Sequence, residues 1–334
     1  ISVFHQGSFY REREKKTLFL SLSRFCSRNF SHTDFVLIGF SGPREWRQLL
    51  FTTFLFMLLL SLAANLILMF TIISHKTLHS PMYLLICAMS FVDLSVMIFC
   101  VPNMLFSLLL NWNHISLLGC LVQMFFVHIA GSTIFMWMAL DRYFAICAPL
   151  RYNEHMSCSA FLKFVLVPVL RNVIFVLAVI SLAGSLSYCQ SNEIDHCFCE
   201  HMALVTLACG SIRINNILGL AGTFCVPAVD FLLVTASYIK IFVSVFRSGK
   251  SSQKALSTCI THIMVITVSL IFVLTSYLSY RGSSNFSSNI RAVISTMYLL
   301  IPGCFNPVIY GIRTKEIRLH MMKALKCGKI TPSH

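Results

Sequence analysis

Leu49–Ile73 runs without a single charged side chain, and this stretch constrains the fold more than any other feature of the sequence. As a helix it rises ~37 Å at ~1.5 Å per residue, which exceeds the ~30 Å hydrocarbon core of a bilayer. Nothing on such a helix wants water. Six further stretches of the same kind follow, over 81–109, 117–140, 162–185, 215–245, 255–279 and 292–312. Away from their ends they carry only Asp93, Arg171, Asp230 and Lys240 as charged members. The chain reads as an all-α membrane protein, a seven-helix bundle whose first partner is the lipid bilayer.

Composition excludes the soluble alternatives. Charged residues make up 11% of the chain, against ~25% in soluble domains. The formal net charge of +14 would suit a nucleic-acid binder only if it formed stripes on a soluble fold. Here the cations lie between and beyond the apolar stretches, so no nucleic-acid partner is expected. The cysteines fall mostly inside apolar stretches, where they act as small hydrophobes.

Orientation follows from Lys and Arg. With the N-terminus outside, the inner side collects Lys76, Arg142, Arg151, Lys163, Lys240, Arg247, Lys250, Lys254 and the tail cations from Arg313 to Lys329. The outer loops hold Arg213, Arg281 and Arg291. This predicts a plasma-membrane protein with an extracellular N-terminus and a cytoplasmic C-terminus. Against it stand the cations from Arg11 to Arg28, with Arg44 and Arg47 beside the first span. The organisation expected is an outer tail over 1–48, a transmembrane domain over 49–312 and an inner tail over 313–334. Residues 1–30 form neither a signal peptide nor a span, and read as a disordered leader that need not be genuine coding sequence. In Lys315–Lys326, Ile317, Met321 and Leu325 recur at helical spacing against Lys and Arg, which predicts an amphipathic helix on the membrane surface.

Four strings carry the chemistry: PMYLLICAMSFVD at Pro81–Asp93, MALDRYFAICAPLRY at Met138–Tyr152, KALSTCITH at Lys254–His262 and NPVIY at Asn306–Tyr310. Asp141, Arg142 and Tyr143 put an anion and a cation side by side at the inner membrane boundary, where Arg142 can lie on Asp141 or swing away. A plain topogenic charge pair is the other reading of those residues alone. Asp93 is a carboxylate in an apolar span, a costly placement that calls for polar partners. Asn65, Asn306 and Tyr310 are the candidates; a passive packing hydrogen bond is the alternative. Pro307 removes a backbone donor and frees a carbonyl, so the seventh span can kink there.

Taken together, the four strings resemble the olfactory receptors among the rhodopsin-like (class A) G-protein-coupled receptors, over about residues 31–327. In the long outer loop, HCFCEHMALVTLA at His196–Ala208 resembles the class I, fish-like subgroup. The resemblance implies an odorant receptor, not an enzyme, needing no cofactor and no metal. Its partners would be a small odorant and a stimulatory heterotrimeric G protein. Asp141, Arg142, Tyr143, Asn65, Asp93, Asn306, Pro307 and Tyr310 would form its switch. The resemblance also implies disulfides Cys120–Cys199 and Cys189–Cys209, leaving Cys197 spare, and a glycosylated Asn29 in Asn29-Phe30-Ser31. A second sequon at Asn285 lies close to the membrane. His196, Cys197, Cys199, Glu200 and His201 also have metal-ligand chemistry, but paired thiols are poor ligands.

Ligand would sit among the outer halves of spans three, five, six and seven. Those halves offer Met124, Phe125, His128, Ile129, Phe224, Tyr277 and Arg281, with Met202 from the loop. An apolar cavity with few polar anchors suits a small ligand. By resemblance to class I receptors, which favour short acids and other water-soluble odorants, Arg281 is the candidate to grip a carboxylate with both arms of its guanidinium, with His128 assisting. An interfacial cation and a packing histidine are the plainer readings of these two.

The chain departs from the family in one place. About three residues are missing between Cys120 and Arg142, near Gly131–Ser132, where relatives often carry an acid; that loss would shorten a helix by ~4.5 Å and rotate its ends by ~60°. A non-signalling or pseudogene-derived receptor is therefore the alternative, and a small-solute transporter the remote one.

Overall fold

The computed structural model describes residues 31–40, 43–129, 132–155, 158–248, 253–281 and 287–327. Within them run seven helices long and apolar enough to cross a membrane. Span one is α1 (Arg44–Ser74) and span two is α2 (Pro81–Leu110). Span three is described in two parts, α3 (Leu117–Ile129) and α4 (Ser132–Cys147). Span four is α5 (Cys158–Gly184). After a loop helix α6 (His201–Val205) come span five, α7 (Arg213–Ser248), span six, α8 (Gln253–Arg281), and span seven, α9 (Ser288–Arg313). The amphipathic helix α10 (Lys315–Cys327) closes the chain as described. The apparent deletion, the leader and both sequons fall on or beside residues outside this description.

Local chemistry sets the ends of the helices. Pro81 opens α2, where its missing N–H costs nothing. Asn111 closes it in the left-handed conformation, a role asparagine tolerates. Span one begins earlier than hydropathy alone places it, because Arg44, Glu45 and Arg47 add a polar first turn. Arg47 then donates from Nη2 to the Leu108 carbonyl across the interface with α2. Large apolar side chains such as Phe56, Phe70, Phe91 and Phe246 point outward, each at least 60% exposed. That is the surface a bilayer covers.

α1 packs on α2 and α9, and α8 packs on α9. The third span changes neighbours along its length: α3 leans on α5, and α4 lies along α7. Between spans four and five the two intramembrane charges meet. Arg171 Nη2 lies 3.3 Å from Asp230 Oδ1, with the Asp230 side chain fully buried and the Arg171 side chain 41% exposed.

One end of the bundle is closed by a small sheet that the hydropathy pattern does not show. β1 (Asp34–Leu37) pairs antiparallel with β2 (His114–Ser116) and parallel with β3 (Glu193–Ile194). Phe35 and Leu37 point into the loop cluster formed with Cys120, Tyr188, Ile194 and Cys199. The segment expected as part of a tail is thus a structural strap over 31–40. Gly39 allows its close approach: a Cβ there would lie 2.5 Å from the Cys197 Cα. Gly39→Val should therefore lower the midpoint of thermal unfolding in detergent by several degrees, whereas a valine at exposed Gly210 should fail for a different reason, its positive φ.

Candidate functional site

Three polar layers run through the bundle. At the end opposite the sheet, Asp141 is fully buried and accepts from Arg142 twice, at 2.9 Å from Nε and 2.6 Å from Nη2. Tyr152, on the turn after the span, donates its hydroxyl to the other Asp141 oxygen at 2.9 Å. The carboxylate therefore has three donors, and Arg142 is held rather than free. Lys240 Nζ sits 5.8 Å from the centre of the Tyr143 ring.

Across the core from this lock stand three polar atoms that sequence reading does not bring together. Tyr238 Oη, His262 Nδ1 and Tyr310 Oη are buried without a hydrogen-bond partner. The His262 and Tyr310 rings lie 5.8 Å apart, and the charge of Arg142 reaches both Tyr238 and His262. His262 and Tyr310 lie in two of the quoted strings, whereas Tyr238 lies in none. The rotation of their helices brings Tyr238 and His262 near Arg142, with Tyr310 beside His262.

In the middle layer Asn306 Nδ2 donates to Asp93 Oδ2 at 3.0 Å. Asn65 is not a hydrogen-bond partner of Asp93, contrary to the expectation. Its amide nitrogen goes to the Gly303 carbonyl at 2.8 Å and to Ser61 at 2.9 Å (O) and 3.2 Å (Oγ). The cause is Pro307. It removes the N–H that would have bonded Gly303 four residues back, and Ser61 Oγ and Asn65 supply the donors instead. Tyr310 is near enough to Asp93 to feel its charge but makes no hydrogen bond to it. Asn65→Leu removes one of the two donors to Gly303 and should cost ~1–3 kcal/mol of stability, read as a lower unfolding midpoint of purified protein.

At the sheet end, Cys120 is joined to Cys199 and Cys189 to Cys209. The first bond ties the loop to the head of the third span; the second closes the loop on itself. Glu200 caps α6 by accepting from the Ala203 N–H at 2.8 Å. Cys197 is a buried free thiol that packs on span seven, 3.5 Å from the Ala292 carbonyl and 3.4 Å from Thr296 Oγ1. Burial pushes this thiol up to about 12, so it stays neutral. Burial also drives the neighbouring His196 down to about 3, with the Arg291 charge adding to the effect. Arg291 pairs with Asp195 at 2.9 Å, a second tie between loop and seventh span. Thus the loop residues with metal-ligand chemistry are engaged in a disulfide, a cap and packing, and no group of three gathers among the described residues.

Beneath this cover lie the ligand candidates. Met124 is fully buried, and Phe125 and Ile129 are half-buried. His128 is exposed, and it lies close enough to His201 for their charges to interact. His201, which sequence reading did not assign to ligand, is buried with an unpartnered Nε2, beside Asn215 and over Gly219. Met202 Sδ lies near Gly219 as well. Phe224 is 46% exposed on span five. Tyr277 and Arg281 belong to the last turns of α8, and their side chains lie outside the description.

Comparison with known proteins completes the picture. A family model described as "Olfactory receptor" matches residues 54–328. Human olfactory receptor 52P1 is 34% identical over 309 residues, covering 90% of this chain and 96% of that protein. Human olfactory receptor 52D1 is 37% identical over 309 residues, covering 91% and 97%. Mouse olfactory receptor 56B34 is 34% identical over 305 residues, covering 89% and 94%.

Proposed function

Because the chain belongs to the olfactory receptor family, and is thus a multi-pass receptor rather than an enzyme, we propose that it couples a small, water-soluble, acidic odorant to a stimulatory G protein. In this reading the sheet end faces outward and α10 lies in the cytoplasm. Odorant sits among Met124, Phe125, His128 and Met202. Arg281, at the end of span six, takes the carboxylate, and His128 a second polar contact.

The observation that carries the signalling half is the lock at Asp141 with its unfilled counterpart. Three buried polar atoms without partners are expensive, ~1–3 kcal/mol each. Arg142, whose charge reaches Tyr238 and His262, can satisfy those two only by leaving Asp141. Two arrangements of similar energy follow, one locked and one with Arg142 turned toward Tyr238 and His262. A ligand that binds the second better shifts the population toward it, and a G-protein segment enters where the inner ends part.

The test is a dose–response series of straight-chain carboxylic acids, with the matching alcohols and aldehydes, on cells expressing the chain. Cyclic AMP is the readout. Acids are expected to be the most potent class, and Arg281→Ala to cost roughly tenfold or more in potency for acids alone, consistent with ~1.5–3 kcal/mol for a hydrogen bond to a charged group. Equal losses for acids and alcohols would sink the carboxylate role. The alternative of a non-signalling receptor is separated in the same assay by a variant with three residues restored after Gly131. A response only after that repair would establish it.

A further inference from the structure

A notch rich in imidazole lies where α10 crosses the end of the first span. α1 ends at Ser74, and the next residue, His75, holds its ring 4.2 Å from that of His320 on α10. His75 Nδ1 is 2.9 Å from the Thr71 carbonyl oxygen. A carbonyl only accepts, so Nδ1 carries the proton and Nε2 remains for another contact. His320 Nε2 is 3.2 Å from Thr77 Oγ1, while its Nδ1 has no partner. Lys323 stands three residues further along α10, on the same face. Partial burial lowers the basicity of His320, and the nearby His75 and Lys323 lower it further. Lys76 and His79 are exposed on the adjoining loop, His79 being 3.1 Å from the Ile73 carbonyl. Arg318 is engaged with the Ile312 carbonyl at 3.2 Å. The acid of α10, Glu316, is turned to Tyr83. The charge balance of the notch is therefore positive.

The rest of the helix shows where the notch sits. Ile317 is buried against the bundle, whereas Leu319 and Met322 are each 45% exposed. A helix with one apolar side on the protein and further apolar side chains open to its surroundings lies in a membrane surface. Its basic groups then stand at the depth of the lipid headgroups.

We propose that His75, Thr77, His320 and Lys323 form a binding site for the phosphate of an anionic phospholipid, which pins α10 to the membrane. The donors fit a tetrahedral anion: with His320 Nε2–H given to Thr77 Oγ1, the Thr77 hydroxyl, the Lys323 ammonium and the Nε2 edge of a protonated His75 are left for it. A soluble phosphate would satisfy the same groups, but it lacks the acyl chains that Leu319 and Met322 can meet. The site rests on the reading of α10 as a membrane-surface helix.

The test uses the full chain in nanodiscs of phosphatidylcholine, alone or with about a fifth phosphatidylserine, and follows hydrogen exchange over 75–79 and 315–323. Phosphatidylserine is expected to slow exchange there about fivefold, the effect of one cation near an anionic surface. His75→Ala with His320→Ala should remove that increment, measured against the same variant's own exchange in phosphatidylcholine. Lys323→Glu, at an exposed position that does not threaten folding, should do the same. The increment should be larger near pH ~6 than near pH ~8, because a bound anion favours protonated imidazoles. Equal exchange in both lipids overturns the proposal, as does an increment that survives Lys323→Glu. Protection by soluble glycerophosphoserine alone overturns the lipid source. Both nanodisc leaflets have one composition, so an inverted chain would not produce these failures; it would show only in tag staining on cells.

Discussion

Replacing Asp230 by alanine is expected to all but abolish delivery of the protein to the cell surface, while the double exchange Arg171→Asp with Asp230→Arg recovers a substantial part of it. The two side chains meet between spans four and five, with Arg171 Nη2 at 3.3 and 3.5 Å from the two Asp230 oxygens. Asp230 is wholly buried, and the Arg171 side chain is 41% exposed. An ion pair formed in such a place adds little net stability, because both charges were taken out of water. Breaking it is another matter. The survivor stays in the membrane without its counter-charge, at ~3–5 kcal/mol, a large share of the ~5–15 kcal/mol that holds a typical domain together. Asp230→Asn keeps the volume and a hydrogen-bond acceptor, so it should fall between alanine and the parent chain. Surface labelling divided by total protein reads this directly. If alanine at 230 leaves the ratio unchanged, the pair does not hold the two spans together.

Asp141→Asn should act at the other end of the molecule and in the opposite sense, raising cyclic AMP without any ligand. The substitution preserves shape and removes the charge that grips Arg142 at 2.6 and 2.9 Å. Charge-assisted hydrogen bonds of this kind are worth ~1.5–3 kcal/mol, which shifts a two-state equilibrium roughly tenfold to a hundredfold. Tyr152→Phe removes only the neutral donor to the same carboxylate, so its effect should be the smaller, about fivefold at ~1 kcal/mol. Tyr238→Phe should do the reverse. It deletes one of the groups that would receive Arg142, and should depress the ligand-evoked signal while leaving surface level unchanged. A flat baseline across Asp141→Asn and Tyr152→Phe would mean that the lock seen here restrains nothing.

Much of this architecture is legible in the residues. The seven spans follow from lengths of apolar chain, and the cost of a carboxylate in an apolar helix says that Asp93 needs a polar partner, though not which of Asn65, Asn306 and Tyr310 it is. What escaped notice shares a physical cause. β1 is four residues, DFVL, too short for period-two alternation to stand out, and it pairs with strands from two distant loops. Loop closure of that kind leaves no local signal. Arg171 and Asp230 were each conspicuous, but their meeting depends on how two helices are rotated about their axes. Asn65 was misassigned because its true partner is a carbonyl, and carbonyls are present at every residue. Only the four-residue reach of Pro307 back to Gly303 singles that one out. The placement of Tyr238 and His262 near Arg142 depends, like the ion pair, on how the helices are rotated.

The most direct measurement of the central claim is cyclic AMP evoked by the acid panel in cells carrying the intact chain or Arg142→Ala, compared at equal surface level. The account predicts a concentration-dependent rise with the intact chain and none with Arg142→Ala. An equal rise from both, or no rise from an intact chain shown to be at the surface, would contradict it.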